Sequence, residues 1–429
     1  MIDRERVGSV EELYVEGGYR LEGTVQVHGA KNSVLPLLAA MTLTEEPVTL
    51  MNCPHLSDVR GTLAILRSLG CRVKQEGGTI CGSGYPTKTR IADDLMRQMR
   101  SSIIFLGPLL AVCQKAEVSL PGGCELGPRP IDWHLQALRS MGAVIEESGG
   151  RVVARAPRGL TGCEISLIFP SVGATENVLL AAVTAQNSTT VYNAAREPEV
   201  ADLCRFLNAC GAKIEGVGGS TLYITGVPRL HGCQYTVMPD RMEAVTYALA
   251  AAVTGGTLCL EGADPACLRS ALTVLSEMGC ALSEEPHRLI VRAPRRLERA
   301  KQIRSMPYPG FPTDAMAPFM AAACTAEGTT LMVETVFENR FRHVDELRRM
   351  GARIKVDGRV AVIEGGTICG AAVRCTDLRG GAALVLAALA AQGESTIGEL
   401  HHLERGYPDW ERQLSAVGAK LERRAGGAG

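Results

Sequence analysis

The residue whose type and setting most plainly offer chemistry is a cysteine. The segment SLPGGCELGPRP, residues 119–130, sets Cys124 between Gly123 and Glu125 and five residues ahead of Arg129. Its glycines and prolines exclude regular structure and predict a loop able to hinge. A neighbouring cation favours the thiolate, the reactive form of the side chain. The alternative is a small apolar filler, the reading that suits most of the other cysteines, such as Cys259 or Cys324 among aliphatic residues.

A second group of polar residues stands at the start of six strongly apolar runs. They are Lys31 and Asn32; Arg100, Ser101 and Ser102; Ser171, Val172, Gly173 and Thr175; Asp240 and Arg241; Thr313 and Asp314; Asp377 and Arg379. If each run is a helix, these are helix N-termini, where free N–H groups and the positive dipole end favour anions. A dipole end contributes about 0.3–1 kcal/mol. A unit charge pair near 4 Å at an effective dielectric of about 20 gives roughly 4 kcal/mol before desolvation, so the lysine and arginines should dominate anion binding. Lys or Arg at several N-termini opposes the usual dipole preference and points to a ligand, although capping residues and surface charges remain the alternative.

These residues must be positioned by a repeated unit. A glycine after a helix and before a strand-like run recurs as GCRVKQ at Gly70, GAVIEE at Gly142, GAKIEG at Gly211, GCALSE at Gly279, GARIKV at Gly351 and GAKLER at Gly418, giving a period near 70 residues. Upstream lie amphipathic stretches such as DVRGTLAILRSLG, with apolar residues at i, i+3 and i+4. Glycine there is the expected C-cap. Downstream, runs such as ARIKVDGRVAVIEG read as β-hairpins. The second helix of each unit, for example TENVLLAAVTA or GAALVLAALAA, is apolar all round and must be buried.

Each unit thus predicts one interior helix, one exterior helix and about four strands, an α/β fold in which sheets and outer helices surround a helical centre. Six units suggest two domains of three. The last stops at AKLERRAGGAG without a second hairpin strand, while YRLEGTVQVHG stands ahead of the first interior helix, so the termini are expected to meet. The expected domains are 31–238 and 1–30 plus 239–429, with the active site in the cleft between them.

Bulk properties narrow the function. The 429 residues are 46% hydrophobic and 21% charged, an ordinary globular balance. Forty-five basic against 46 acidic residues leave a net charge of -1, which argues against nucleic acid or an anionic membrane as partner. The charged N-terminus has no signal-peptide core and no apolar run reaches about 18 residues, so a cytoplasmic protein is expected. Fifteen cysteines without a CxxC pair fit a reducing compartment, and eight histidines without HExxH give no support for a metal site.

The motifs HGAKNSVLP, MRSSIIFLGP, LPGGCELGPRPID, SVGATEN, AAREPEV, PDRMEA, FPTDAMAP, ETVFENRF, TDLRGGAALVLAAL and ERGY follow one another from about residue 17 to 423. Together they closely resemble the UDP-N-acetylglucosamine 1-carboxyvinyltransferase family of enolpyruvyl transferases. The resemblance implies a two-domain inside-out α/β barrel that catalyses the first committed step of peptidoglycan precursor synthesis by addition and elimination, without metal or organic cofactor. Its substrates would be phosphoenolpyruvate and UDP-N-acetylglucosamine.

The resemblance also implies roles. Cys124 would be a general acid, able to form a phosphoenolpyruvate adduct and to be alkylated by fosfomycin. Lys31, Arg129 and Arg405 would hold the phosphate and carboxylate of phosphoenolpyruvate, with Asn32 at the shared site. Asp314 would be the general base at the sugar 3′-hydroxyl, and Asp377 and Arg379 would lie near the reacting groups. Arg100, the stretch Arg129, Pro130, Ile131, Asp132 and Trp133, the stretch Ser171, Val172 and Gly173, and Val336 would line the nucleotide-sugar site. Glu338 and Arg340 would support domain closure. Two positions depart from the family pattern: Trp133 stands where a smaller aliphatic is common, and Phe169 where a basic residue is sometimes found. The nearest rival is the sibling enzyme acting on shikimate 3-phosphate; a non-catalytic repeat-built binding module is the other.

Overall fold

The computed structural model describes residues 11–98, 100–119 and 131–425. The chain divides into two compact units, one of His28–Asp240 with Pro307–Pro309, the other of Met1–Val27, Arg241–Met306 and Gly310–Gly429. We refer to them as the Lys31 unit and the Asp314 unit. The first leaves the second after the strand Glu22–Gln26 and returns to it at the helix Arg241–Thr254. The sequence had cut the chain at 30/31 and 238/239 and had kept 307–309 with the other half.

Three sheets surround each unit, and five of the six share one order. A short strand lies parallel to the strand that follows an interior helix, as Gln302–Arg304 does to Thr329–Val333, and an antiparallel hairpin completes the sheet, here Arg353–Asp357 with Val360–Glu364. Parallel neighbours need a long crossover, and in three of the five sheets the interior helix supplies it. In the sixth sheet, three strands are joined by a single parallel bridge between Arg90 and Glu117 in place of the short strand. Strands alternate as a one-sided sheet requires: Ala361 and Ile363 face inward, Val360 and Val362 outward.

The strand that completes the last repeat is Glu11–Glu16, which pairs with both Glu394–Gly398 and Lys420–Ala425. Glu22–Gln26, inside YRLEGTVQVHG, instead lies parallel to Thr257–Glu261. The termini share a sheet because the chain's first strand fills the place its last repeat lacks.

The helices that are apolar all round form the centre of each unit. Every residue from Met316 to Cys324 is buried, and in the helix Leu378–Ala390 burial runs unbroken from Arg379 to Leu389. These two helices and Arg241–Thr254 pack on one another. Burying a Leu or Phe side chain stabilises by about 1.5–3 kcal/mol, and Leu249, Phe319, Leu384, Leu386 and Leu389 are buried in these helices. The result is an inside-out α/β barrel in each unit, with helices within and sheets outside.

All six repeat glycines adopt the left-handed backbone, with φ between 89° for Gly351 and 106° for Gly418. A β carbon is strained there, so glycine ends each exterior helix and turns the chain into its hairpin. Gly107 serves a different purpose. A β carbon on it would lie 2.4 Å from the Asn177 carbonyl oxygen, so two interior helices of the Lys31 unit touch backbone to backbone.

Candidate active site

In the Lys31 unit, Lys31 and Asn32 open the interior helix Lys31–Ala40. The Lys31 ammonium is 2.6 Å from Asp58 Oδ2, and both side chains are buried. The Lys31 N–H donates to Asp240 Oδ2 at 3.1 Å, so a carboxylate answers that helix's positive end. Two residues on, the Ser33 hydroxyl meets Asp202, which also accepts from the Tyr235 hydroxyl at 2.7 Å. Asn32 is exposed. The sequence singled out the lysine but missed Asp58 and Asp202. Both lie in exterior helices where an acidic residue looks like ordinary surface, so no local signal marked them.

Arg100 opens the 3-10 turn Arg100–Phe105, which runs into the helix Leu106–Cys113. Ser171 caps Val172–Ala182, its hydroxyl accepting from the Ala174 N–H at 3.3 Å. Ile131, Asp132 and Trp133 begin the exterior helix Asp132–Ser140. Asn177 ties these elements together. Its Oδ1 accepts from the Gly107 N–H at 2.7 Å, and its amide nitrogen donates to the Ile103 carbonyl at 3.0 Å and lies 2.8 Å from His134 Nδ1. His134 also packs over Gly173, where a β carbon would lie 3.0 Å from the ring and press on it. Burial pushes this imidazole down to about 4, so it is neutral at ordinary pH.

Trp133 and Phe169 meet as a stacked pair, with ring centroids 5.6 Å apart and planes inclined by 22°. The two positions that depart from the family pattern are therefore one structural feature, and the larger aromatic at each supports the other. Cys124, Arg129 and Pro130 lie outside the described residues.

In the Asp314 unit the site residues are closely joined. Asp314 lies in the 3-10 turn Thr313–Ala315 at the head of an interior helix. Arg340 Nη2 donates to its Oδ1 at 2.8 Å, and Arg379 Nη2 to its Oδ2 at 3.1 Å. The arginine side chains are 2% and 4% exposed and that of Asp314 is 30% exposed, so the carboxylate is gripped from below and open above.

Arg340, read from sequence as a domain-closure residue, belongs to this cluster; its Nε also donates to the Thr313 carbonyl at 3.0 Å. Arg379 Nη1 donates to the Tyr407 hydroxyl at 2.9 Å. Arg405 ends the turn Leu400–Arg405, two residues before Tyr407, and is half-buried. Asp377 caps Leu378–Ala390, its Oδ1 accepting from the N–H groups of Arg379 at 3.0 Å and Gly380 at 3.1 Å. Burial pushes the Asp377 carboxyl up, but the Arg340 guanidinium and these N–H groups outweigh it and hold it below its ordinary value.

Two further residues escaped the sequence reading. Glu334 is buried and accepts from the hydroxyls of Ser305 and Thr313, both at 2.8 Å, and from the Val336 N–H at 2.6 Å. It thus fixes the neighbours of both Asp314 and Val336. His343 is fully buried beside Arg340 and Asp377, and burial pushes it down to about 4.

Cys324 fits the filler reading, being buried with its thiol pushed up to about 12 by desolvation. Cys259 does not. It is half-buried, and Arg288 Nε lies 3.0 Å from its sulfur. Among the described residues no group of three or more His, Cys, Asp or Glu side chains could hold a metal ion, and no helix is long and apolar enough to cross a membrane.

Residues 15–414 match the family described as EPSP synthase (3-phosphoshikimate 1-carboxyvinyltransferase). The UDP-N-acetylglucosamine 1-carboxyvinyltransferase of Nitratidesulfovibrio vulgaris is 47% identical over 97% of this chain and 100% of its own length. That of Zymomonas mobilis is 49% identical over 97% of this chain and 100% of its own. Among solved structures, the enolpyruvyl transferase NikO from Streptomyces tendae superposes with a TM-score of 0.89 at 27% identity, over 98% of this chain and 100% of that one. An EPSP synthase from Acinetobacter baumannii, at 21% identity and a TM-score of 0.75 over 96% of this chain and 100% of its own, shares the fold.

Proposed function

The chain belongs to the enolpyruvyl transferase family, and we propose that it moves the enolpyruvyl group of phosphoenolpyruvate onto the 3′-hydroxyl of UDP-N-acetylglucosamine with release of phosphate. The observation that carries this reading is the contrast in similarity. Relatives named for that reaction are 47% and 49% identical over almost the whole chain, against 21% for the shikimate-directed structure.

In the proposed reaction, a proton adds to the methylene carbon of phosphoenolpyruvate and the sugar hydroxyl attacks the adjacent carbon. The tetrahedral ketal then loses a proton from the methyl carbon and expels phosphate, restoring the vinyl ether. Cys124 would deliver the first proton, since a thiol near its reference pKa of about 8.5 can be tuned towards working pH by cations. Lys31, Arg129 and Arg405 would grip the phosphate and carboxylate, with Asn32 beside them; guanidinium forks fit such anions. Arg100, Arg129 to Trp133, Ser171 to Gly173 and Val336 would bind the nucleotide sugar.

Asp314 would orient and deprotonate the sugar hydroxyl. Its half-open setting between two buried guanidinium groups supports this, because both arginines fix the carboxylate while its side chain stays 30% exposed. Asp377 and Arg379 would stand next to the reacting groups. The function places the protein in the cytoplasm, at the first committed step of peptidoglycan precursor synthesis.

The test is phosphate release from phosphoenolpyruvate with UDP-N-acetylglucosamine, with shikimate 3-phosphate, and with neither. Turnover dependent on the nucleotide sugar is expected. Preference for shikimate 3-phosphate would overturn the substrate assignment.

A further inference from the structure

Several cysteines in this fold are unreactive by placement. Cys71 and Cys280 are buried with thiols pushed up to about 11, and Cys53, Cys204 and Cys375 with thiols pushed up to about 12, in each case chiefly by desolvation. One pair is placed differently. The sulfurs of Cys210 and Cys233, 23 residues apart in sequence, lie 3.2 Å from each other, and neither belongs to the proposed active site.

Both backbones are held in place. Cys210 follows the exterior helix Pro198–Ala209, and its N–H donates to the Phe206 carbonyl at 3.0 Å. Its own carbonyl accepts from the His231 N–H at 2.9 Å, which brings the second segment alongside. Gly211 allows this close approach, since a β carbon there would lie 2.9 Å from the His231 ring. Cys233 leads into the strand Gln234–Thr236, and its carbonyl accepts from the Thr49 N–H at 2.9 Å. A disulfide requires sulfurs at about 2.05 Å, so the pair must close by about 1.2 Å from the 3.2 Å seen here.

The two thiols are also unlike one another. Cys210 is buried, whereas Cys233 is half-buried. Hydrogen bonding between the pair raises the Cys210 thiol, and burial raises it further. The same hydrogen bond lowers Cys233; its partial burial opposes this, and the charge of His231 favours it. Cys233 is therefore the sulfur more open to a reagent, and the buried Cys210, 3.2 Å away, is placed to resolve it.

We propose that Cys210 and Cys233 form a dithiol modification site that is oxidised to an intramolecular disulfide by low-molecular-weight disulfides. The Cys233 thiolate attacks one sulfur of the reagent RSSR, forming a mixed disulfide and releasing RS⁻, which takes up a proton. Cys210 then gives its proton to solvent, and its sulfur attacks Cys233 Sγ, forming the Cys210–Cys233 bond and releasing the second RS⁻. Two protein thiols are oxidised and one RSSR is reduced to two RSH. The bond would tie the end of the exterior helix to the strand whose Tyr235 holds Asp202, the partner of Ser33 two residues after Lys31.

The test treats the reduced full-length protein with oxidised glutathione, blocks remaining thiols with an alkylating agent and maps tryptic peptides by mass spectrometry. Trypsin separates the two cysteines into residues 206–213 and 230–241. A bridged peptide joining these segments, lost on treatment with dithiothreitol, is the expected main oxidised product. Cys210→Ser should stop at a glutathione adduct on Cys233, and Cys233→Ser should leave Cys210 unmodified. Failure to find the bridge in the parent protein, or an adduct at Cys210 in Cys233→Ser as abundant as that at Cys233 in Cys210→Ser, overturns the proposal.

Discussion

Replacing Asp58 with Asn tests the pairing that holds Lys31. At 2.6 Å and an effective dielectric of about 20, the attraction is roughly 6 kcal/mol before desolvation. Desolvation of two buried charges offsets much of this, and removing one partner of such a pair typically costs about 3–5 kcal/mol. Asp58→Asn should therefore lower the stability of the Lys31 unit by about 3–5 kcal/mol in chloride buffer, measured by urea unfolding. If Lys31 is an anion-binding group, inorganic phosphate at equal ionic strength should recover part of that loss. An anion at about 100 times its dissociation constant contributes about 2.7 kcal/mol. The double variant Lys31→Met with Asp58→Leu should be less destabilised than Asp58→Asn, because both charges of the pair are then removed together. A loss below about 1 kcal/mol, or one that phosphate and chloride affect equally, would refute the reasoning.

Other expectations follow from the same geometry. Arg340→Met removes a charge-assisted bond to Asp314 worth about 1.5–3 kcal/mol, so kcat should fall roughly 10- to 150-fold. The KM for phosphoenolpyruvate should change little, and a KM-only effect would contradict a role through Asp314. His134 and His343 are both held near 4 by burial. The unfolded chain takes up these protons near pH 6.5, so their contribution is present above that pH and is lost as pH falls towards 4. Each contributes on the order of 3 kcal/mol to this loss. Urea midpoints between pH 7 and 4 measure it, and a flat profile would contradict the burial argument.

Much of the architecture was legible because it repeats. Local preferences act on a few neighbouring residues, and six copies of glycine after an amphipathic helix amplified a weak signal. The apolar runs announced buried helices for the same reason, since a helix with no polar face has no other place. The first residues of those runs named Lys31, Ser171, Asp314, Asp377 and Arg379 as a set. Strand assignment at the N-terminus was less secure, because EELYVE and EGTVQ are both plausible strands and only the sheets that receive them tell them apart.

Partnership is what the sequence alone left undecided. Nothing near Lys31 indicates Asp58, and nothing near Asp314 indicates that Arg379, 65 residues on, and Arg340 would close upon it. The Trp133–Phe169 stack and the Cys210–Cys233 contact are of the same kind. Periodicity along a chain encodes backbone conformation and which face is buried. It does not encode which distant side chains meet once helices and sheets pack, because that depends on their relative placement. The types of residue available for chemistry were thus written in the sequence, while the charge on each, its exposure and its partner were decided by tertiary packing.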